Sequence, residues 1–133
     1  MDTHKTIFAM DDEMSMHLIY EEVLAKHYNL HCFAHPQEML HMLENICPDL
    51  IIMDIELGEM NGYELCKAIK QKEGLELVPV VFVSRHDFSK DKGRAFFSGG
   101  SEYVMKPIDK TPFNKLIKKL IEDHEPMTAP EGQ

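Results

Sequence analysis

Four carboxylates follow two of the apolar stretches in this sequence. Asp11, Asp12 and Glu13 come after TIFAM, and Asp54 comes directly after LIIM. If both stretches are strands of one parallel sheet, these carboxylates share the edge where such sheets bind ligands, outside the carboxyl ends of the strands. Clustered carboxylates repel one another unless a cation neutralises them. Mg²⁺ suits such a cluster because it binds oxygen ligands and typically takes one or two protein carboxylates.

A hydroxyl and an ammonium group follow two later apolar stretches. Ser84 ends PVVFVS, and Lys106 follows EYVM and precedes Pro107. With a metal bound, Asp54 could remain ionised and attack a phosphorus centre. Lys106 would offset the phosphoryl charge, and Ser84 could donate a hydrogen bond to a phosphoryl oxygen. Each residue alone has a structural alternative, because an aspartate or a serine can cap a helix or form a turn, and a Lys-Pro step can simply end a strand. Together they predict a phosphoryl-transfer site.

Five short apolar runs are predicted to form the strands that position these side chains: TIFAM (6–10), LHCFA (30–34), LIIMD (50–54), PVVFVS (79–84) and EYVM (102–105). Segments with helical spacing separate them. This alternation predicts a single α/β domain, with a five-stranded parallel sheet, right-handed crossovers and helices on both faces. The nearly continuous apolar character of LIIM and VVFV is typical of strands covered on both faces.

The helices are predicted with different clarity. The third should run from about Gly62 to Glu73, and the fourth, near residues 88–98, has the weakest periodicity. The last is the clearest, with Thr111 as the predicted N-cap and Pro112 as the first helical residue. The domain is predicted to span residues 1–123. Residues 124–133 contain two prolines and a glycine, and we expect them to form a tail or the start of a linker.

Composition excludes several classes of function. A net charge of −9 disfavours a nucleic-acid surface on this chain. Cys32, Cys47 and Cys66 form no CxxC pair, which argues against a disulfide framework and against a zinc site. No apolar run approaches the roughly 20 residues needed to cross a membrane, and the polar start MDTHKT does not resemble a secretory signal. We therefore expect a cytoplasmic protein with neither nucleic acid nor membrane as a partner.

The order and spacing of these motifs resemble the receiver domains of two-component response regulators. An acidic pair, a lone aspartate, a serine or threonine and a Lys-Pro step occur in that order, and the resemblance covers about residues 5 to 123. It implies a CheY-like fold with the flavodoxin-like strand order 2-1-3-4-5. It also implies a signalling switch rather than an enzyme, with self-phosphorylation and self-dephosphorylation as its only reactions.

The resemblance implies a role for each acidic residue. Asp54 would accept a phosphoryl group from a sensor histidine kinase or a histidine phosphotransfer protein. Asp12 would bind Mg²⁺ directly and Asp11 chiefly through water. Asp54 and the backbone carbonyl of Glu56 would supply further metal oxygens. The implied cofactor is therefore Mg²⁺.

The resemblance also implies a coupled movement on activation. Lys106 would contact the phosphoryl group, and its bond to Pro107 is expected to be cis. Ser84 would move toward the phosphoryl group, and Tyr103 would rotate inward to fill the vacated space. The purely structural alternative for Tyr103 is a half-buried strand residue with its hydroxyl in water. The fourth helix, fifth strand and fifth helix would carry the change to a partner or a homodimer.

Three features depart from the family pattern. Arg85 follows the serine where a small residue is common, so its side chain could shield the site or fold away. In the family, the positions of Glu56 and His86 tune hydrolysis of the phosphoryl group. This pair does not predict whether hydrolysis is faster or slower. Gly58 replaces a common proline and should loosen its loop through extra backbone freedom.

Two other functions share part of this chemistry. A haloacid-dehalogenase-like phosphatase also uses an aspartate nucleophile and Mg²⁺, and Asp54-Ile55-Glu56 superficially resembles its motif. That motif, however, follows the first strand and has aspartate at both ends. A flavodoxin-like electron carrier would need a first loop that cradles phosphate, whereas MDDEMS would repel it. The sequence therefore predicts a receiver domain, with the phosphatase as the alternative.

Overall fold

Strands and helices alternate along the chain in a computed structural model that describes residues 4–58, 60–85 and 92–124. The elements, in chain order, are β1 (Thr6–Met10), α1 (Met14–Leu24), β2 (Asn29–Phe33), α2 (Pro36–Leu43), β3 (Leu50–Met53), β4 (Glu56–Leu57), β5 (Met60–Asn61), α3 (Gly62–Lys70), β6 (Val80–Ser84), α4 (Lys92–Phe97), β7 (Glu102–Met105) and α5 (Lys110–Asp123). Among the described helices, none has both the length and the apolar character needed to span a membrane.

The main sheet has five parallel strands in the order β2-β1-β3-β6-β7. The five predicted strands are therefore confirmed, with ends that differ by at most one residue, and their order is the predicted 2-1-3-4-5. The sequence did not predict β4 and β5, which pair antiparallel as a separate two-stranded hairpin after β3. The carboxyl ends of β1, β3, β6 and β7 meet at one edge of the main sheet, as the predicted site requires.

Each central strand supplies side chains to both faces of the sheet, because successive residues of a strand point in opposite directions. One face packs α2 and α3 against residues that include Phe8, Ile51 and Phe82. The other packs α1 and α5 against residues that include Ala9, Ile52 and Val83. All four residues of β3 are buried. Burial on both faces thus explains the apolar run that leads into Asp54.

Two helix boundaries differ from their predictions. Helix α5 begins at Lys110 with Asp109 as N-cap, so the predicted start at Thr111 and Pro112 was wrong by two residues. Pro112 is tolerated there because the first-turn N–H groups have no partner within the helix. Helix α3 ends at Lys70, before the predicted Glu73. The predicted fourth helix falls partly, and the predicted C-terminal tail almost wholly, outside the described residues.

Candidate functional site

Asp54 is held at the end of β3 by contacts to three parts of the chain. Its backbone N–H donates to the carbonyl of Met10 at 3.0 Å. Its buried carboxylate accepts the N–H of Glu56 on Oδ1 at 3.2 Å. Its other oxygen, Oδ2, lies 3.0 Å from Nζ of Lys106. These contacts fix the carboxylate at the edge of the sheet, beside a cation.

Asp11 is the most deeply buried carboxylate of the site. Its Oδ1 accepts the N–H of Glu13 at 2.9 Å, and its carbonyl oxygen lies 2.6 Å from Nε2 of His17, which ties α1 to this turn. Its Oδ2 lies 2.9 Å from Nζ of Lys106, yet makes no hydrogen bond of acceptable geometry. Burial raises the pKa of Asp11, although the Glu13 N–H and Lys106 oppose the rise. Asp11 therefore has an oxygen that a further cation would satisfy.

Lys106 joins the acidic residues of the site. Its buried ammonium group lies within 3.0 Å of a carboxylate oxygen from each of Asp11, Glu13 and Asp54. Burial alone would lower the pKa of Lys106, but its contacts with Glu13, Asp11 and Asp54 outweigh burial and raise it. The lysine is therefore protonated at neutral pH. Its bond to Pro107 is cis, as the resemblance implied.

The acidic residues of the site suit a hard divalent cation. Asp11, Asp12 and Asp54 each place a carboxylate oxygen within 4.8 Å of the others. All three are oxygen donors of the kind that Mg²⁺ prefers. Asp12 is exposed, and Oδ2 of Asp11 lacks a hydrogen bond. This donor set fits Mg²⁺ at the predicted place.

Ser84 and Tyr103 lie on neighbouring strands near the same edge. Ser84 is fully buried at the end of β6, and its carbonyl accepts the N–H of Lys106 at 2.8 Å. Tyr103 is half-buried on β7, with its ring centre 6.2 Å from that of Phe82, its register partner on β6. The partial burial of Tyr103 matches the structural alternative given for it. The coupled movement of Ser84 and Tyr103 stays a prediction.

The loop after Asp54 forms the small hairpin. Glu56 begins β4 and lines a cavity of about 380 Å³, whose described lining residues are Asp12, Glu13, Asp54, Glu56, Arg85 and Lys106. Gly58 has φ of +73°, in the left-handed region. The proline common here could not adopt that angle, because its ring fixes φ near −65°. Gly58 therefore sets the shape of this turn.

A family model for the response regulator receiver domain matches residues 7–120. This chain belongs to that family. Receiver domains are signalling switches that interact with histidine kinases or phosphotransfer proteins. The match leaves the haloacid-dehalogenase alternative without support, as does the position of Asp54 after the third strand rather than the first.

Curated relatives of this receiver domain differ in length. Polar-differentiation response regulator DivK of Brucella ovis is 31% identical over 121 residues, which are 91% of this chain and 98% of DivK. Heme response regulator HssR of Staphylococcus epidermidis is 30% identical over 115 residues, or 86% of this chain. The chain spans only 50% of HssR.

Solved structures show the same fold. Chemotaxis response regulator CheY4 of Vibrio cholerae superposes with a TM-score of 0.83 at 21% identity, covering 89% of this chain and 99% of that one. A CheY-like receiver domain protein of Methanospirillum hungatei gives 0.85 at 22% identity, covering 92% and 98%. These likenesses confirm the predicted CheY-like fold.

Glu13 contacts two cationic side chains in this receiver domain, which the sequence did not predict. Its Oε1 lies 2.8 Å from Nζ of Lys106, and its Oε2 lies 2.8 Å from Nη2 of Arg85. Contact with Lys106 lowers the pKa of Glu13 most, contact with Arg85 lowers it less, and burial opposes both. The sequence placed Glu13 at a strand end but offered no sign of either partner. His86, the other predicted tuning residue of this region, lies outside the described residues.

Gly62 is a second residue that the sequence did not assign to the site of this receiver domain. A Cβ at this position would lie 2.3 Å from the carbonyl oxygen of Asp54 and 2.7 Å from Cα of Ile55. Its N–H donates to the carbonyl of Ile55. Only glycine therefore lets α3 start this close to the strand end that carries Asp54. A glycine at the start of a predicted helix was the available signal.

Proposed function

We propose that Asp54 accepts a phosphoryl group from a phosphohistidine of a sensor histidine kinase or a histidine phosphotransfer protein. The observation that carries this proposal is the 3.0 Å contact between Oδ2 of Asp54 and Nζ of Lys106 beside the acidic cluster of Asp11 and Asp12. A carboxylate at the wall of an open cavity can reach a donor, and a buried cation beside it can receive the charge that transfer brings. The family match supports this role.

In the proposed transfer, a bond forms between a carboxylate oxygen of Asp54 and phosphorus. The bond from phosphorus to the donor's imidazole nitrogen breaks, and the electron pair remains on that nitrogen. Lys106 stays protonated and offsets the charge of the phosphoryl oxygens, and the hydroxyl of Ser84 donates to one of them. Asp11, Asp12, Asp54 and the backbone carbonyl of Glu56 would hold Mg²⁺. When bound, Mg²⁺ supplies positive charge that reduces the repulsion between the carboxylates and the incoming phosphoryl group.

The proposed output is a shift between two conformations of the domain in the cytoplasm. Movement of Ser84 toward the phosphoryl group and rotation of Tyr103 inward would change the surface formed by α4, β7 and α5. Exposed apolar side chains support a partner or a homodimer there, because Phe97 is 85% exposed and Met105 is 45% exposed. The conformational shift follows if phosphorylation stabilises one arrangement of this surface more than the other.

Intact-mass spectrometry tests the proposal most simply. The purified chain is incubated with acetyl phosphate and Mg²⁺, and we expect one phosphoryl group to be added. Asp54→Asn should gain none, because an amide is not a comparable nucleophile. Addition of EDTA to the wild-type reaction should prevent the gain. The proposal fails if wild type stays unmodified with Mg²⁺ present, or if Asp54→Asn gains the group equally.

A further inference from the structure

Arg85 contributes an exposed cation to the mouth of the candidate site. Its side chain is 68% exposed and follows Ser84 at the end of β6. Its Nη2 lies 2.8 Å from Oε2 of Glu13, whose other oxygen contacts Lys106. The Glu13 carboxylate, 30% exposed, thus lies between a buried cation and an exposed one. Arg85 therefore points toward the site and has a partner there, Glu13.

The described lining of the cavity carries more negative than positive charge. Its described lining includes four carboxylates, from Asp12, Glu13, Asp54 and Glu56, and two cations, Arg85 and Lys106. Before Mg²⁺ binds, an anionic phosphodonor would meet net negative charge there, and bound Mg²⁺ would offset it. Lys106 is buried and already contacts three carboxylates, so Arg85 is the more accessible cation of the two. A guanidinium group can also donate two parallel hydrogen bonds to phosphate oxygens.

We propose that Arg85 is a phosphoryl-binding residue that exchanges Glu13 for the phosphoryl group on Asp54. Glu13 is its partner in the unphosphorylated protein and is released when the phosphoryl oxygens offer more negative charge. Arg85 then speeds the uptake of small anionic donors and prolongs the life of the aspartyl phosphate. This inference rests on the proposed function of Asp54. A side chain that merely shields the site would have the opposite effect on uptake.

Kinetics with acetyl phosphate test the role of Arg85. At limiting donor and saturating Mg²⁺, we expect Arg85→Ala to lower the rate of phosphoryl uptake and the lifetime of the product by about tenfold each. That is the effect of one hydrogen bond between charged groups. The uptake rate and the product lifetime of Arg85→Lys should lie between those of wild type and Arg85→Ala, because lysine keeps the charge but loses the paired donors. High salt should reduce the difference in uptake, because it screens exposed charges.

Lys118→Ala is the matched control for loss of an exposed positive charge. Lys118 is exposed on α5, about 12 Å along the helix axis from its first residue, since each residue advances the helix by 1.5 Å. We expect Lys118→Ala to take up the phosphoryl group at the wild-type rate and to keep it for the wild-type lifetime. Thermal unfolding of each variant checks that the domain is folded. Arg85→Ala with unchanged or faster uptake overturns the inference.

A double-mutant cycle tests the exchange of partners. Glu13→Gln should speed uptake in the wild-type background, because it releases Arg85 toward the donor. In the Arg85→Ala background most of that gain should disappear. An equal gain in both backgrounds would mean that Glu13 does not act through Arg85, and would overturn the exchange. A wild-type protein that gains no phosphoryl group overturns the proposed function and this inference together, whereas wild type modified on Asp54 with no effect of Arg85→Ala overturns this inference alone.

Discussion

The ammonium group of Lys106 lies 3.0 Å from Oδ2 of Asp54, although 52 residues separate them in the sequence. The sheet brings them together, because β3 pairs with β6 and β6 with β7, all in parallel. Each strand delivers the residue that follows it to the same edge. The lysine thereby offsets the charge of buried carboxylates that would otherwise repel one another.

Removal of the lysine should therefore destabilise the domain. We expect Lys106→Ala to lower the free energy of unfolding by about 3 kcal/mol in metal-free buffer at pH 7, because it leaves buried carboxylates without their counter-ion. Lys110→Ala is the control, since it removes an exposed ion pair with Glu22 and should cost less than about 1 kcal/mol. Urea denaturation measures both. Equal small losses would show that Lys106 is not needed to balance the buried charge.

Neutralising Asp11 should have the opposite effect without metal. Burial raises the pKa of Asp11 above its usual 3.8, so the folded protein binds its proton more tightly than the unfolded chain does. The contribution of Asp11 to stability is therefore lost as pH rises through its folded pKa, and at pH 7 the ionised group opposes folding. We expect Asp11→Asn to raise the thermal midpoint by several degrees in EDTA.

Mg²⁺ should narrow that difference in thermal midpoint between Asp11→Asn and wild type. At ten times its dissociation constant, Mg²⁺ should stabilise wild type by about 1.4 kcal/mol. It should stabilise Asp11→Asn much less, because a carboxylate is missing. Calorimetry with and without Mg²⁺ measures the stabilisation of wild type and of Asp11→Asn. A thermal midpoint for Asp11→Asn below that of wild type in EDTA, or an equal response of the two proteins to Mg²⁺, would contradict this arrangement of charges.

Gly62 should tolerate no side chain. In Gly62→Ala the added Cβ would meet the carbonyl oxygen of Asp54 at 2.3 Å, so the backbone must shift. We expect a loss of about 3 kcal/mol in the free energy of unfolding, in the range for overpacking of tightly packed groups. Gly93→Ala in α4 is the control, because nothing lies within 4 Å of its added Cβ. It should be neutral or stabilising by up to about 1 kcal/mol. Similar urea midpoints for the two variants would refute the close approach.

Cys66 should make the domain sensitive to alkaline pH. Burial raises the pKa of its thiol from 9.0 to about 11. The unfolded chain therefore loses this proton more readily, so stability falls as pH rises from about 9 toward 11. The part of this loss in the free energy of unfolding that is due to Cys66 is on the order of 2 kcal/mol at pH 11. Cys66→Ala should lose less stability over this interval than wild type, as measured by urea denaturation at each pH. Parallel curves would show that Cys66 does not titrate in this way.

Much of the fold could be predicted from the sequence, because apolar strand patterns and strand-end residues are local signals. LIIM predicted the buried strand that delivers Asp54, and the resemblance to receiver domains implied the strand order. The hairpin could not be predicted, because strands of two residues show no periodicity. The ion pairs of Glu13 depend on where Lys106 and Arg85 lie in space, which no spacing in the sequence reports. The start of α5 was misplaced because Pro112 is equally acceptable later in the first helical turn.

Chemical trapping of the phosphoryl group identifies the residue that carries it. Wild-type protein treated with acetyl phosphate and Mg²⁺ is reduced with borohydride, which converts an aspartyl phosphate to homoserine, and its peptides are sequenced by mass spectrometry. We expect homoserine at position 54 and at no other aspartate, with none in protein that received no acetyl phosphate. Homoserine at another aspartate, or a stable phosphoryl group on a histidine with position 54 unchanged, would contradict the assignment of Asp54 as the phosphoryl acceptor.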